Sequence, residues 1–284
     1  MTTDGAPPLP PSAEVVVIGG GVMGTSIAFH LAEAGVTDVL LLERGHLGGG
    51  STVKAAGGVR AQFSDPVNIA LGMRGLDAFE DFPHRPGQVI DLHQPGYLFL
   101  LTDPDQVRVY EESVALQNRM GLPSRMLTAH EAKALSPAID TTGVLAAAFH
   151  ARDGYCSPES VVLGYATGAR RHGATVLSGV GVSGVRVEDG QVVGVVTDRG
   201  EVRTGAVICA AGAWSKEVGA MVGVDLPVEP LRRQILITEP LSEEQAALFP
   251  AGMLMSIEAG ATLYLHREGP AILLIHGMAG SSRT

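Results

Sequence analysis

An apolar run that meets three consecutive glycines and turns at once into a helix leaves a chain few ways to fold. That stretch is VVVIGGGVMGTSIAFHLAEAG, residues 15–35 of a 284-residue sequence. Val15 to Ile18 are continuous and β-branched, as expected of a parallel strand buried on both faces. Gly19, Gly21 and Gly24 fall at G-x-G-x-x-G spacing. The first permits a tight turn, the second lets a diphosphate approach the backbone, and the third lets the helix pack close on the strand. The pattern predicts a helix from Val22 to Ala34, with Ile27, Leu31 and Ala34 along one stripe, Ala28 beside it, and Gly35 as the stop. Free N–H groups and the helix dipole at its start favour an anion there.

A second apolar run, VLLLE, occupies residues 39–43. Glu43 closes it nineteen residues after Gly24, where a carboxylate accepts hydrogen bonds from ribose hydroxyls and repels a 2′-phosphate. A glycine-rich turn in an unrelated α/β fold is the alternative. Strand, glycines, helix, second strand and terminal acid taken together favour a dinucleotide.

Composition narrows the field. At 45% hydrophobic and 18% charged residues, the chain suits a soluble globular protein with two modest domains or one large one. Its 20 basic and 30 acidic residues give a net charge of -10, which argues against a nucleic-acid partner. The two cysteines, Cys156 and Cys209, are far apart and form no disulfide framework or zinc spacing, which suits a reducing cytoplasm. The leader MTTDGAPPLPPSAE lacks the basic and apolar regions of a signal peptide, so residues 1–12 are expected to be a flexible tail. No apolar stretch reaches membrane-spanning length. Nor is there a G-x-S-x-G elbow, a G-x-x-x-x-G-K-[ST] loop or an H-E-x-x-H helix, and the nine histidines show no ligand spacing.

Two further segments bear on which dinucleotide is bound. After Glu43 a nicotinamide-binding unit would proceed into another helix. Here RGHLGGGSTVKAAGGVR, residues 44–60, has no helical apolar stripe. Its small residues suit backbone lying flat against a large planar ligand, with Ser51 and Thr52 offering hydroxyls to phosphates; a surface loop is the alternative. Residues 187–214, VEDGQVVGVVTDRGEVRTGAVICAAGAW, read as consecutive strands with turns at Asp189-Gly190 and Arg199-Gly200. A meander that returns a strand to the nucleotide site is unnecessary in a simple nicotinamide dehydrogenase.

With these blocks quoted, the chain resembles the D-amino-acid oxidase superfamily of FAD-dependent oxidoreductases, in its sarcosine oxidase/dehydrogenase and glycine oxidase branch. The matching pieces also include GYCSPESVVLGYATGARRHGATVLSGVGV, VICAAGAWS, PLRRQILITEP and LYLHREG, in family order from residue 13 to about 275. The resemblance implies an α/β fold, with a Rossmann-like FAD-binding domain and an inserted mixed-sheet (α+β) substrate domain. It places residues 13–85 and 151–225 in the FAD domain, and 86–150 and 226–284 in the substrate domain. Gly19, Gly21 and Gly24 match the pyrophosphate turn, Glu43 the ribose acid, and Arg44 a position near the adenine. Gly50, Ser51, Thr52, Ala56 and Gly57 match the loop from phosphate to isoalloxazine, Val182 a backbone contact to adenine, and Ala211 with Gly212 the strand end beside the cofactor. Arg60 matches an arginine that clamps a substrate carboxylate, with a surface arginine or an Asp65 partner as the alternative. Within LYLHRE, Tyr264 and His266 alternate onto one strand face, so either could line a pocket; His266 could equally be a satisfied histidine at a domain boundary. Cys156 has no activating base beside it in sequence and is expected to be a small buried residue.

The activity implied is oxidation of the C–N bond of a small amino acid or secondary amine by hydride transfer to flavin N5, with oxygen or another carrier as electron acceptor. Some monomeric relatives carry a histidine and a further arginine where this loop has Val53 and Gly57, so FAD is expected to be non-covalent and the substrate to differ from sarcosine. An FAD-dependent 2-hydroxy-acid or glycerol-phosphate dehydrogenase would share the cofactor architecture. The sequence stops at HGMAGSSRT, where relatives continue into a block that returns to the FAD domain. That ending is expected of a truncated or frame-shifted product, or of a variant whose partner subunit supplies the missing wall. A flavin-binding protein without catalysis is the corresponding third reading.

Overall fold

The computed structural model describes residues 7–260 and 263–276. The chain opens with β1 (Val15–Ile18), α1 (Val22–Glu33) and β2 (Val39–Glu43), then passes a single 3-10 turn at Thr52–Lys54 to β3 (Gly58–Val59) and α2 (Pro66–Glu80). Next come β4 (Tyr97–Leu101), α3 (Pro104–Arg119), β5 (Arg125–Leu127), α4 (Ala129–Leu135), β6 (Ala146–His150) and β7 (Gly154–Tyr155). A long helix, α5 (Pro158–Arg171), leads to β8 (Thr175–Ser178) and to the run β9 (Val182–Glu188), β10 (Gln191–Thr197), β11 (Gly200–Arg203) and β12 (Ala206–Cys209). Then follow α6 (Ser215–Ala220), β13 (Leu236–Ile237), α7 (Glu243–Leu248), β14 (Met255–Glu258), β15 (Leu263–Glu268) and β16 (Ala271–His276). Three helices start the same way: an Asp65, Asp103 or Ser157 cap accepts a backbone N–H, and the proline after it fixes the first helical φ.

Two units divide the chain. Among the described residues, the first holds 7–55, 82–90 and 157–231. Its four-stranded sheet runs in the order β12-β1-β2-β8 with every pair parallel. Val16, Ile18, Leu40 and Leu42 form one face, packed with Val195 and Val202 of the antiparallel β9–β10–β11 meander. Val17 and Leu41, fully buried, alternate onto the other. The expected strand boundaries and the turns at Asp189-Gly190 and at Gly200, all with positive φ, stand where the sequence put them.

The stripe expected on α1 does not. Its buried residues are Gly24, Thr25, Ala28, Phe29 and Ala32, whereas Ile27 and Leu31 are half-buried and Ala34 is exposed. Helix–helix packing explains the shift, because the Phe29 ring lies against Gly168 of α5, where a Cβ would come within 2.8 Å of it. Small residues let the two helices approach. The expected tail is also corrected for residues 7–12: Leu9 packs on the core, the carbonyls of Pro7 and Pro11 accept from Arg199 and Arg203, and Ser12 bridges to Arg203. Residues 1–6 lie outside the described residues.

The second unit comprises 56–81, 91–156, 232–260 and 263–276. Its mixed sheet has the order β13-β16-β15-β14-β4-β6-β5, in which only β14 and β4 are parallel. Central β4 is buried throughout, with Leu98 and Leu100 facing one apolar cluster and Tyr97, Phe99 and Leu101 the other. That two-sided burial is why YLFLL is apolar without alternation. Residues 56–81, expected with the first unit, belong here. Strand β3 pairs with β7, the Asp153 carboxylate accepts from Ala61 N and Gln62 Nε2, and Gln117 Nε2 donates to the Phe63 carbonyl. Residues 151–156, also expected with the first unit, belong here too. Conversely 86–90 and 226–231, expected with the second, join the first, where Phe82 stacks edge-on against Tyr165 and the Ile90 carbonyl accepts from Ser157 N.

Gly24 is the tightest point of the first unit, since a Cβ there would overlap the Gly19 carbonyl oxygen. Gly24→Ala is expected to lower unfolding stability by about 1–3 kcal/mol through overpacking against backbone that cannot retreat. Urea denaturation checks this, and an unchanged midpoint would show the helix free to shift.

Candidate functional site

The C-terminal ends of β12, β1 and β2 open into a cleft of about 550 Å³, within the range of small-molecule sites. It lies wholly in the first unit. At its floor the chain turns at Gly19, whose φ of +113 excludes other residues and whose missing Cβ makes room for the Ala210 carbonyl. Gly21 is the N-cap of α1 and has no side chain to cap with. Thr52 supplies the acceptor instead: its Oγ1 takes the Val22 N–H at 3.1 Å. A Cβ on Gly21 would lie 3.2 Å from that same hydroxyl. The loop after β2 is therefore stitched to the turn, and the Gly20 carbonyl accepts from Gly48 N at 2.8 Å.

Glu43 completes the stitching. Its Oε2 accepts from Gly20 N and its Oε1 from Gly45 N, each at 2.7 Å. Each oxygen uses one acceptor site on backbone and keeps another free, which is what two vicinal ribose hydroxyls require. A glycine turn without side chains, a helix start and a cleft-lining carboxylate fit a dinucleotide well.

Of the residues singled out by sequence, Gly19, Gly21, Glu43, Arg44, Gly50, Ser51, Thr52, Val182, Ala211 and Gly212 line this cleft. Gly24 stands behind the turn and sets its depth. Ala56 and Gly57 belong to the second unit, where the Gly57 carbonyl accepts from Cys156 N at 2.9 Å. Trp214 lines the cleft without having been singled out. It was legible only as part of AAGAW, and nothing in that run says which way the ring turns.

The second unit gathers another cluster. Arg60 holds its guanidinium 4.6 Å from the Phe63 ring and 5.5 Å from the Phe99 ring. Among the described residues no carboxylate pairs with it; Asp65, the alternative partner, instead caps α2 by accepting from Asn68 N at 2.9 Å. Tyr97 and Tyr264 lie with ring centroids 6.3 Å apart, and the Tyr264 hydroxyl donates to Met255 Sδ at 3.8 Å. Both hydroxyls stand over Gly58, which has no side chain to displace them. Burial pushes the Tyr97 phenol up to about 12 and moves Tyr264 in the same direction, while the Arg60 charge draws both back down. These are neutral donors at any physiological pH.

His266 shares the Tyr264 face, but its side chain is fully buried and its Nδ1–H donates to the Arg267 carbonyl at 2.6 Å. Burial lowers its pKa, and its ring stacks 4.5 Å from Tyr155. It is a core histidine held through Nδ1 alone, its buried Nε2 having no hydrogen-bond partner among the described residues. Burial likewise pushes the Cys156 thiol up to about 12, which removes it as a nucleophile. Sequence reading missed Asp153, whose carboxylate has no exposure and accepts from His150 Nδ1 at 2.8 Å, Ala61 N at 2.9 Å and Gln62 Nε2 at 3.1 Å. Ala61 follows Arg60 directly, so Asp153 fixes the backbone that carries the guanidinium. Among the described residues no acidic or His/Cys cluster could hold a metal, and no helix is long and apolar enough to cross a membrane.

Residues 14–281 match the family model for DAO, the FAD dependent oxidoreductases. The chain belongs to that family. FAD is the family's cofactor, and the oxidoreductases that resemble this chain act on amino-acid and amine C–N bonds. Mitochondrial dimethylglycine dehydrogenase of Rattus norvegicus is 32% identical over 93% of this chain, and 31% of that relative is covered. Sarcosine oxidase subunit beta of Rhodobacter capsulatus is 28% identical over 80% of this chain and 56% of its own length. Among solved structures, L-proline dehydrogenase from P. horikoshii superposes with a TM-score of 0.86 at 32% identity, covering 94% of this chain and 70% of that one. The chain thus spans about a third of the length of the mitochondrial relative. The α/β class with a parallel and a mixed sheet is shared with these FAD enzymes.

Two tests follow from the second-unit cluster. Asp153→Ala leaves the three donors unpaired in the interior and is expected to cost about 3–5 kcal/mol of stability, read by urea unfolding. Tyr97 has a folded pKa of about 12 against an ordinary 10.0, so the unfolded chain loses that proton first. Wild type should therefore lose stability relative to Tyr97→Phe as pH rises from 10.0 towards about 12, measured as the difference in unfolding midpoints. Parallel pH profiles for the two proteins would contradict the burial of that hydroxyl.

Proposed function

We propose that this chain binds FAD non-covalently in the cleft of the first unit and oxidises the C–N bond of a small N-alkylated or primary amino acid. The observation that carries the reading is Glu43, tied through Gly20 and Gly45 to the turn where a diphosphate would rest. In that role Gly19 and Gly21 give the diphosphate room, the start of α1 offers N–H donors, and Thr52 turns its own hydroxyl hydrogen towards the phosphates while accepting from Val22 N. Glu43 accepts from the ribose. Ser51, Val182, Ala211 and Gly212 line the remaining walls, and Ala56 and Gly57 carry the chain on from there towards Arg60.

When bound, the flavin supplies the hydride-accepting chemistry. The chain's own residues bind and orient. Arg60, a cation held by two aromatic rings and free of carboxylate partners among the described residues, takes the substrate carboxylate in a bidentate pair. Tyr264 and Tyr97 present neutral hydroxyls beside it, and their burial keeps water and tyrosinate charge away from the amine. The imine that leaves is hydrolysed in water. Dimethylglycine, sarcosine and proline, the substrates in the relatives' names, share a carboxylate one carbon from a substituted nitrogen, which one guanidinium can hold.

The acceptor of the electrons is oxygen or a separate carrier, and a partner subunit is part of the proposal because one relative is itself a named subunit. We place the protein in the cytoplasm on its two unpaired cysteines.

An absorbance spectrum of the purified protein, followed by anaerobic addition of sarcosine, glycine, proline and D-alanine, tests this. A flavin spectrum bleached by one of these amino acids is expected. A flavin bleached instead by 2-hydroxy acids or glycerol phosphate would reassign the substrate, and one bleached by nothing would leave a binding protein. Arg60→Met is expected to weaken the effective amino acid about 10- to 100-fold with flavin content unchanged.

A further inference from the structure

Arg44 and Trp214 come from opposite sides of the cleft. Arg44 follows β2, Trp214 follows β12, and β1 with its glycine turn lies between those strands. Two strand spacings separate their origins, about 10 Å. Their side chains nevertheless meet, with the guanidinium carbon 4.1 Å from the indole centroid. Both residues line the cleft. The far edge of the same ring reaches the loop after β2, where a Cβ on Gly50 would lie 3.6 Å from Trp214 Cζ3. Among the described residues Arg44 has no ion pair, although its neighbour in sequence is a glutamate; Glu43 turns its carboxylate to Gly20 N and Gly45 N instead. So a cation at the cleft wall is held in place by an aromatic face, and its N–H donors remain available.

We propose that Trp214 is a positioning residue for Arg44, the two forming a cation–indole strap across the cleft that grips the adenosine diphosphate half of the bound dinucleotide. The inference rests on reading this cleft as the FAD site. Indole restricts the long arginine side chain to one orientation, so less conformational entropy is lost when the guanidinium meets a phosphate oxygen or a purine nitrogen. It also covers one face of the cation, leaving the other for the ligand. Glu43, one residue away, fixes which half of the ligand lies there, because the acid belongs to the adenosine ribose. Arg44 alone would be a mobile surface charge. With Trp214 it becomes a wall.

Binding of FAD, ADP and FMN to purified apoprotein tests the strap, measured by equilibrium dialysis on wild type, Trp214→Phe, Trp214→Leu, Arg44→Met and the Leu/Met double variant. Loss of the stack in Trp214→Leu or Arg44→Met should weaken FAD and ADP by the same factor, about tenfold. Trp214→Phe should stay within about threefold of wild type because it retains an aromatic face. The double variant should bind no worse than Arg44→Met, since one residue acts through the other. FMN, which lacks adenosine, should be unaffected throughout. Trp214 is the sole tryptophan, so wild-type indole emission should also change on adding ADP and stay constant on adding ADP to Arg44→Met. Additive penalties, unaltered ADP affinity in Trp214→Leu, or an equal loss of FMN would each overturn the strap while leaving the FAD site intact. Failure of wild type to bind FAD at all would instead overturn the site and the strap together. Arg44→Met changes an exposed side chain and carries the test if Trp214→Leu does not fold.

Discussion

Everything in the first unit hangs on the Gly19 carbonyl oxygen occupying the space that a side chain on Gly24 would need. That single contact brings α1 down onto the end of β1, and the remaining glycines follow from it. With the helix so close, the turn has no height for side chains at Gly19 or Gly20, where a Cβ would meet Ala210 or Glu43. Glu43 can then reach the backbone N–H of Gly20, and Thr52 that of Val22, so the loop after β2 is sewn onto the turn from both ends. The cleft is thus a by-product of close packing. Its polar groups at the turn are largely backbone, so its shape depends on few side chains.

The second unit uses a different device for the same end. Around Arg60 the backbone is held by a buried carboxylate with three donors, and its surroundings are aromatic. A cation flanked by rings is weakly solvated and keeps its appetite for an anion. Neutral tyrosines beside it add donors without adding charge. The cluster thus joins one positive charge to neutral hydroxyls, with no carboxylate paired to Arg60 among the described residues.

What could be read from sequence was what backbone geometry dictates. A strand that enters GGG and leaves as a helix admits one local solution, so β1, the turn, α1, β2 and the terminal Glu43 were all legible. The turns of the meander were legible for the same reason, since Asp189-Gly190 needs positive φ at both residues. Side-chain destinations were not. The face α1 buries was misjudged because α5, with Gly168 opposite Phe29, decides it, and α5 lies far along the chain. Residues 56–81 were placed with the wrong unit because Gln62 donates to the Tyr97 carbonyl and the Phe63 carbonyl accepts from Gln117, partners no local pattern reveals. Trp214 and Asp153 escaped notice on the same ground.

Each unit is braided from separate stretches of the polypeptide, and this shapes how the molecule comes into being on the ribosome. Strand β4 of the second unit acquires its parallel neighbour only when Met255 emerges, and β1 of the first waits for Ala206. Until then two of the most apolar strands in the sequence have one edge open. Such long-range pairing is slow and leaves sticky intermediates. Neither unit can be obtained by cutting the gene in one place, and each closes its sheet only after a distant stretch of the chain has been synthesised.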